Sequence, residues 1–206
     1  MTPARPCCPG AKSRLLPILG LMLGGGLLLQ SGLALAQSAA PSLPPAQTLE
    51  LTMRQQESQL LHRKVELRGL RKLEGNGVVA EAPPVARVLI VHLWAVECRP
   101  CVEEFPVLRP ILDSLRSLPQ VKAVLVSETA DLGKLQAFLR DNRALLPNLA
   151  QYQSGDDRLR ASLQNNAQPT TLLLDERGVV RQAFLGSIRH RRSELADAVR
   201  RLLTSM

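Results

Sequence analysis

The clearest hydrophobic patterns in the chain are short, nearly continuous apolar runs. Residues 85–95 (VARVLIVHLWA) and 121–127 (VKAVLVS) are rich in β-branched residues, and each has the length of a strand. Runs without alternating polar positions are typical of strands covered on both faces. Residues 170–174 and 179–185 predict two further strands joined by a turn at 175–178, that is, a β-hairpin.

Between these runs, apolar residues recur every three or four positions, the spacing of one face of a helix. Residues 98–118 carry such a stripe, and Asp131 precedes a second one as a candidate N-cap. A polar stretch at 156–164 and the residues 191–203 predict two more helices. The order strand, helix, strand, helix, hairpin, helix predicts an α/β domain with a central mixed β-sheet flanked by helices.

The first 36 residues have the pattern of an export signal. Three basic residues and no acidic residue precede an uncharged Leu/Gly stretch at 15–29, and small residues follow at 34–36. This order predicts a signal peptide that is removed after Ala36. An uncleaved membrane anchor is the alternative, because residues 15–36 are long enough to span a bilayer. In either case we expect the rest of the chain in the periplasm or another extracytoplasmic space.

The segment between this signal and the first strong strand is less regular. Residues 37–48 are rich in Ser, Ala, Pro and Gln, which predicts a flexible linker. Residues 49–81 form an N-terminal extension whose loose pattern leaves two interpretations open, a spacer or an added strand and helix beside the sheet. The α/β domain itself is predicted to span residues 82–206.

Composition and charge narrow the class of function. The 206-residue chain has 45% hydrophobic and 21% charged residues, which is typical of a globular protein. Its net charge of +8 falls to +5 without residues 1–36, so the excess that could attract nucleic acid is modest. Only five aromatic residues occur, too few for a surface that stacks single-stranded nucleic acid. We expect no nucleic-acid partner, and membrane contact only if the N-terminal segment is uncleaved.

The cysteines carry the most specific chemical signal. Cys7 and Cys8 lie in the predicted signal, whereas Cys98 and Cys101 form one Cys-x-x-Cys pair at the start of a predicted helix. The amides and dipole of a helix N-terminus stabilise a thiolate and lower its pKa below about 8.5. Thiol-disulfide exchange needs such a thiolate and a second thiol that releases the mixed disulfide. We therefore predict Cys98 as the nucleophile, Cys101 as the resolving thiol, and no cofactor beyond this redox-active disulfide.

Residues beside this pair are expected to modulate it. Arg99 places a positive charge near Cys98 and favours its thiolate, whereas Glu97 opposes it, and the sign of the sum stays open. Pro100 suits the first turn of a helix, where its missing amide hydrogen is not required.

Two residues of the preceding strand are further candidates. His92 lies on a strand predicted to be buried, so it is either a hydrogen-bonded core residue or a proton relay beneath the sulfurs. Trp94 is expected to pack beside the helix. Both are candidate modulating residues.

Other uses of two cysteines are less consistent with the sequence. A disulfide that closes a loop of about four residues stabilises a fold by about 2 kcal/mol, less than the roughly 3 kcal/mol for fifteen residues. A structural zinc site needs four ligands, and the chain has no second Cys-x-x-Cys motif, so we expect no metal site. Two thiolates and one histidine can hold Cu(I), and this alternative stays open.

The segment from His92 to Cys101 (HLWAVECRPC) resembles the active-site segment of thioredoxin-fold proteins, particularly the exported TlpA/ResA-like thiol-disulfide oxidoreductases. Pro106 falls where the active-site helix of that family is kinked by proline. Residues 168–178 (QPTTLLLDERG) resemble its cis-proline segment and hairpin. The resemblance covers residues 82–206 and implies a thioredoxin-like fold for them.

The resemblance also implies where a substrate binds. It makes the Gln168–Pro169 bond cis and places it facing the sulfurs, where its backbone pairs with an extended substrate as an added strand. Gln168, Pro169 and Thr170 are then substrate-binding residues. Four positions depart from the family pattern. Glu97 stands where an aromatic residue is common, and His92 where many thioredoxins have a buried acid. Asn165 replaces a usual apolar residue, and Ala167 a common glycine.

Together these patterns predict an exported thiol-disulfide oxidoreductase. The resemblance implies a reductase that keeps cysteines of extracytoplasmic proteins reduced. Its expected partners are protein thiols or disulfides and a membrane protein that donates or accepts electrons. An oxidant that introduces disulfides is the close alternative, and a non-enzymatic carrier that delivers Cu(I) or another metal is a third.

Overall fold

The computed structural model of the protein describes residues 44–75, 77–156 and 158–205. The predicted signal or anchor at 1–36 lies outside these residues, as does most of the predicted linker. The described elements are, in chain order, α1 (Pro45–Leu60), β1 (Leu70–Glu74), β2 (Gly77–Val79), β3 (Val88–Trp94), α2 (Arg99–Arg116), β4 (Val121–Ser127), α3 (Leu132–Asp141), β5 (Ala150–Ser154), α4 (Arg158–Leu163), β6 (Thr170–Leu174), β7 (Val180–Leu185) and α5 (Arg192–Ser205).

The strands form one mixed sheet in the order β2-β1-β5-β4-β3-β6-β7. β4 pairs in parallel with both β3 and β5, whereas every other neighbouring pair is antiparallel. All seven residues of β3 are buried. Its continuous apolar pattern thus predicted correctly a strand covered on both faces.

Helices cover both faces of this sheet. Ile90 and Trp94 of β3 pack in a core with residues from α2, α3 and α5, whereas Val91 and Leu93 pack in a second core with residues from α1 and α4. Successive side chains of a strand point to opposite faces, so one strand serves both cores. The predicted α/β class with a central mixed sheet is confirmed. No helix in the described part of the chain is long and apolar enough to cross a membrane.

The N-terminal extension is part of this architecture. β1 pairs with β5 and β2 with β1, so the sheet continues across the predicted boundary at residue 82. The linker prediction is wrong for residues 45–48, which form the first turn of α1. Pro45 suits the first helical position, since its φ is fixed near the helical value. Only Glu57 and Leu60 of α1 are buried, so the helix has no strong apolar face. Specific contacts with the rest of the domain therefore hold it in place.

One buried carboxylate fastens α1 to the domain. Glu57 is only 4% exposed. It accepts a hydrogen bond from the Leu185 amide at 2.8 Å and two from the Arg191 guanidinium at 2.5 and 3.0 Å. Arg54, one turn earlier, donates to Glu194 at 2.9 Å. These contacts join α1 to the end of β7 and the start of α5.

Replacing Glu57 with alanine is expected to lower the free energy of unfolding by about 3 kcal/mol, because Arg191 loses its buried counter-charge and the Leu185 amide loses its acceptor. Urea unfolding measures the change. Glu50→Ala is the matched control on the same helix. The Glu50 side chain is 67% exposed and lies 3.6 Å from Arg54, so its loss costs less than about 1 kcal/mol. Equal midpoints for the two variants would contradict this account.

Candidate active site

The strand register brings the two predicted parts of the site to one edge of the sheet. Thr170, the first residue of β6, pairs with Leu93 near the end of β3. Cys98 follows the end of β3 by four residues, and Pro169 immediately precedes β6. Because β3 and β4 are parallel, the loop after Ser127 lies at this edge as well. The Cys-x-x-Cys pair, the proline segment and this loop are therefore neighbours.

Cys98 is the N-cap residue of α2. Its Sγ accepts a hydrogen bond from the Cys101 amide at 3.3 Å, and its carbonyl accepts one from the Val102 amide at 3.2 Å. Pro100 occupies the first turn, where no amide donor is needed. The N-terminal amides and the helix dipole favour a negative charge at this sulfur. The geometry needed for a low-pKa thiolate is thus present at Cys98.

Cys98 and Cys101 form a disulfide, with Cα atoms 5.3 Å apart. Cys98 is partly exposed, whereas Cys101 has no exposed surface. An incoming thiol can therefore reach Cys98 but not Cys101. The difference in exposure means that a partner protein can contact the Cys98 sulfur, whereas the Cys101 sulfur can contact only atoms of this chain.

Both charged neighbours of Cys98 are paired with opposite charges. The Glu97 carboxylate lies 2.7 Å from Lys134 Nζ, and this contact lowers the pKa of Glu97. Arg99 Nε donates to Glu103 at 2.7 Å. Each pairing reduces the net field at the Cys98 sulfur. The opposing influences expected for Arg99 and Glu97 are both weakened, which leaves the helix N-terminus as the main electrostatic influence.

A buried hydroxyl that the sequence analysis missed holds the loop before Cys98. Thr129 follows β4 and is 2% exposed. Its Oγ1 accepts a hydrogen bond from the Val96 amide at 2.9 Å and donates to Glu97 at 3.1 Å. The side-chain amide of Gln153 donates to the Thr129 carbonyl at 2.8 Å. The sequence signal for this residue was a threonine placed two positions after the end of a buried strand.

His92 and Trp94 lie in the core under α2. His92 Nδ1 is 3.0 Å from the Thr171 hydroxyl, and Nε2 has no partner among the described residues. Burial lowers the pKa of His92 to about 3, so the ring is neutral near pH 7. Trp94 packs edge-to-face on Phe105 at 5.0 Å between ring centroids. The geometry favours the core interpretation of His92 over a proton relay.

Helix α2 carries a buried carboxyl that the sequence analysis did not single out. Glu104 is fully buried, and it follows Cys101 by three residues, which places the two on neighbouring positions of one helix face. Its Oε2 accepts a hydrogen bond from the Ile188 amide at 3.0 Å, and Oε1 has no partner in the described part of the chain. Burial raises the pKa of Glu104 to about 7. A glutamate within the apolar stripe of residues 98–118 was the missed signal.

The proline segment presents one partly exposed side chain. The Gln168–Pro169 bond is cis. Pro169 and Thr170 are buried, and the Thr170 hydroxyl donates to the Ala167 carbonyl at 2.6 Å. Gln168 is partly exposed, and its amide donates to Glu128 at 2.6 Å. Of the three predicted substrate-binding residues, only Gln168 offers a side chain to a partner.

We compared the chain with protein families, curated proteins and solved structures. No protein-family model matches the chain, and no curated protein matches its sequence. Solved structures do match. A structure from Chlorobium tepidum named as a thiol:disulfide interchange protein, DsbE, has a TM-score of 0.57 at 19% identity and covers 69% of this chain and 99% of its own. StoA from Bacillus subtilis has a TM-score of 0.52 at 21% identity, covering 66% and 96%.

A third match is a thioredoxin-like protein from Porphyromonas gingivalis, with a TM-score of 0.54 at 17% identity. It covers 70% of this chain and 94% of its own. All three similarities extend over nearly the full length of the matched structures. At these identities they establish the architecture. The chain therefore has the thioredoxin-like fold that its Cys-x-x-Cys segment resembles, with the Cys98–Cys101 disulfide at the start of α2.

Proposed function

We propose that the protein is an extracytoplasmic thiol-disulfide oxidoreductase that exchanges its Cys98–Cys101 disulfide with protein substrates. The asymmetry of this disulfide carries the proposal: the accessible sulfur caps a helix and the other is buried behind it. The match to a DsbE structure named for thiol:disulfide interchange supports it. Export is supported by the sequence pattern of residues 1–36.

The exchange proceeds in two displacements. In the reducing direction, the Cys98 thiolate attacks one sulfur of a substrate disulfide, whose S–S bond breaks and whose other sulfur leaves as a thiolate. The Cys101 thiolate then attacks Cys98 Sγ, which forms the internal disulfide and releases the second substrate thiolate. The substrate gains two electrons and takes up two protons, while the dithiol of the protein is oxidised. A donor dithiol, which we propose belongs to a membrane protein, restores the reduced form.

The second displacement needs a base for a buried thiol. Cys101 has no contact with solvent, so its proton must pass to a neighbouring group before the sulfur can attack. Glu104 lies one helical turn away on the same helix and has a pKa of about 7. A base whose pKa is close to the ambient pH transfers protons efficiently in both directions. We assign Glu104 the role of proton acceptor for Cys101.

The electrostatics of Cys98 favour a reductase over an oxidant. Strong oxidants of this kind have an unusually stabilised reduced form. Here Arg99, the residue next to Cys98 in the chain, is paired with Glu103, and Lys134 is paired with Glu97. The thiolate therefore gains stabilisation mainly from the helix N-terminus. For the Cu(I) alternative, the described residues contain no group of three or more potential metal ligands, and no observation favours it.

Serine substitutions separate the two cysteine roles. Cys98→Ser is expected to reduce insulin disulfides only at the uncatalysed rate, because no accessible nucleophile is left. Cys101→Ser is expected to accumulate a mixed disulfide with the substrate, seen as a mass adduct that dithiothreitol removes. Ser117→Ala, at the far end of α2, serves as the control and retains full activity. Wild-type turnover by Cys98→Ser would remove Cys98 from its role.

The reduction potential of the Cys98–Cys101 pair distinguishes a protein that donates electrons to its substrates from one that accepts them. Equilibration of the protein with glutathione is expected to give a value closer to about −270 mV, as in reductants, than to about −120 mV, as in strong oxidants. The paired charges beside Cys98 are the physical reason. A value near −120 mV would assign the protein to the oxidants and leave the exchange chemistry intact.

The buried carboxyl predicts a pH dependence of stability. The native pKa of Glu104 is raised from 4.5 to about 7, so the native state binds more protons than the unfolded state between these values. The stabilisation that protonated Glu104 gives the native state is fully present below pH 4.5. It is lost as the pH rises through 7, which lowers the free energy of unfolding by about 3 kcal/mol. Glu104→Gln is expected to remove this slope in urea unfolding of the oxidised protein at pH 5 and pH 8.

Glu103→Gln, an exposed neighbour on the same helix, is the matched control and should keep the slope. If wild type and Glu104→Gln lose stability in parallel over this range, Glu104 does not titrate near neutrality and its assignment as proton acceptor fails.

A further inference from the structure

We propose that the N-terminal extension completes a substrate subsite beside Gln168, in which Arg71 binds an aspartate or glutamate side chain of the partner protein. This inference rests on the proposed function, because the subsite borders the segment on which a substrate would dock. It gives the extension a role in selecting the substrate in addition to its place in the sheet.

The subsite is an open cavity of about 410 Å³ at the same sheet edge as Cys98. Its lining includes Arg71 of β1 and Gln168 of the proline segment. Glu128 after β4, Gly155 after β5 and Arg160 of α4 complete its walls. The cavity is thus lined both by the segment on which a substrate is predicted to dock and by the N-terminal extension.

The acidic group nearest to Gln168 is already paired. The Glu128 carboxylate forms two short contacts with the Arg160 guanidinium and accepts the Gln168 amide at 2.6 Å. Arg160 also donates to the carbonyls of Asn165 and Ala167 at 3.0 and 3.2 Å. Both side chains are at least 85% buried. This pair holds the proline segment in place and leaves neither charge free for a ligand.

Two other charged side chains line the cavity, Asp156 and Arg71, and only the first has a charged partner among the described residues. The Asp156 carboxylate accepts the Arg158 amide at 3.1 Å and lies 3.2 Å from Arg158 Nε. Among the described residues, Arg71 donates only to a neutral group, the Gln153 side-chain oxygen, at 2.6 Å. It forms no ion pair, and its buried Nε has no partner among the described residues. Among the described residues that line the cavity, the charge without a counter-ion is therefore the positive charge of Arg71.

The guanidinium of Arg71 is held in a fixed position. Gln153 is fully buried, and its amide nitrogen donates to the carbonyls of Thr129 and Ala130 at 2.8 and 3.1 Å, which orients its oxygen towards Arg71. A Cβ atom at Gly155 would lie 3.1 Å from Arg71 Nε, so the glycine leaves room for this guanidinium. Thr129 also holds the loop before Cys98, and the two sites share one framework.

A fixed and partly buried arginine without a counter-ion favours a carboxylate ligand. Charge-assisted hydrogen bonds between a guanidinium and a carboxylate are among the strongest polar contacts in proteins. A substrate that pairs with the backbone at Gln168–Pro169 as an added strand runs past the mouth of the cavity. One of its side chains, close in sequence to the reacting cysteine, then reaches Arg71. An acidic residue at that position is bound and a basic one is repelled.

The test uses short peptides in which one cysteine carries a 2-thiopyridyl group, whose release is followed by absorbance. Aspartate, asparagine or lysine is placed in turn at the two positions before and the two positions after this cysteine. At one of these positions the reduced wild-type protein is expected to prefer aspartate over asparagine by about tenfold in kcat/KM. Arg71→Gln is expected to lose this preference, so that its own kcat/KM values for the aspartate and asparagine peptides lie within twofold of each other.

Two further variants control for charge and folding. Arg68→Gln removes a charge from an 88% exposed side chain of the extension and is expected to keep the preference. Arg71→Lys retains the charge without the planar fork and is expected to keep part of it. The absence of an aspartate preference at all four positions, or its survival in Arg71→Gln, would overturn the subsite.

A binding measurement separates this inference from the proposed function. Fluorescence anisotropy with peptides that carry serine in place of the cysteine reports the aspartate preference without any exchange. No thiopyridone release from any peptide would contradict the oxidoreductase proposal, whereas equal affinities of wild type for the aspartate and asparagine peptides would contradict the subsite alone.

Discussion

The contact between the first turn of α2 and the Cys98 sulfur links the fold to its chemistry. The sulfur accepts the Cys101 amide at 3.3 Å, at the helix end where backbone amides lack partners within the helix. A thiolate placed there is stabilised by the peptide backbone, which substitution of side chains leaves in place. The charged side chains on either side, Glu97 and Arg99, are each paired with an opposite charge. Reactivity at Cys98 is thus a property of how β3 ends and α2 begins.

The polar residues at this sheet edge keep that arrangement in place. Thr129 holds the loop before Cys98, Gln153 holds Thr129 by its carbonyl, and Arg71 of the extension donates to Gln153. Each bond joins a different strand or loop, so the edge is a continuous hydrogen-bonded framework. Buried hydrogen bonds of this kind favour one local structure. The extension, whose pattern in the sequence was weak, takes part in this framework.

Local sequence patterns predicted best the strands that are buried on both faces and one helix cap. β4 and β6 have the predicted bounds, 121–127 and 170–174, and Asp131 caps α3 as expected. β5 (AQYQS) was missed because it is short and polar, and it is held between β1 and β4 by backbone pairing. The nucleophile role proposed for Cys98 rests on its spacing from Cys101 and on its place at the start of a predicted helix. The partners of Arg99 and the burial of Glu104 depend on packing between distant segments, which no local pattern encodes.

We propose that the helix N-terminus makes Cys98 a stable thiolate while Cys101 stays protected. The most direct measurement is the rate of iodoacetamide alkylation of each cysteine in the reduced protein as a function of pH, with the two sites resolved by peptide mass spectrometry. We expect Cys98 to react with a pH midpoint below about 8.5 and Cys101 to react far more slowly. A Cys98 midpoint at or above 8.5, or equal rates at the two sites, would contradict it.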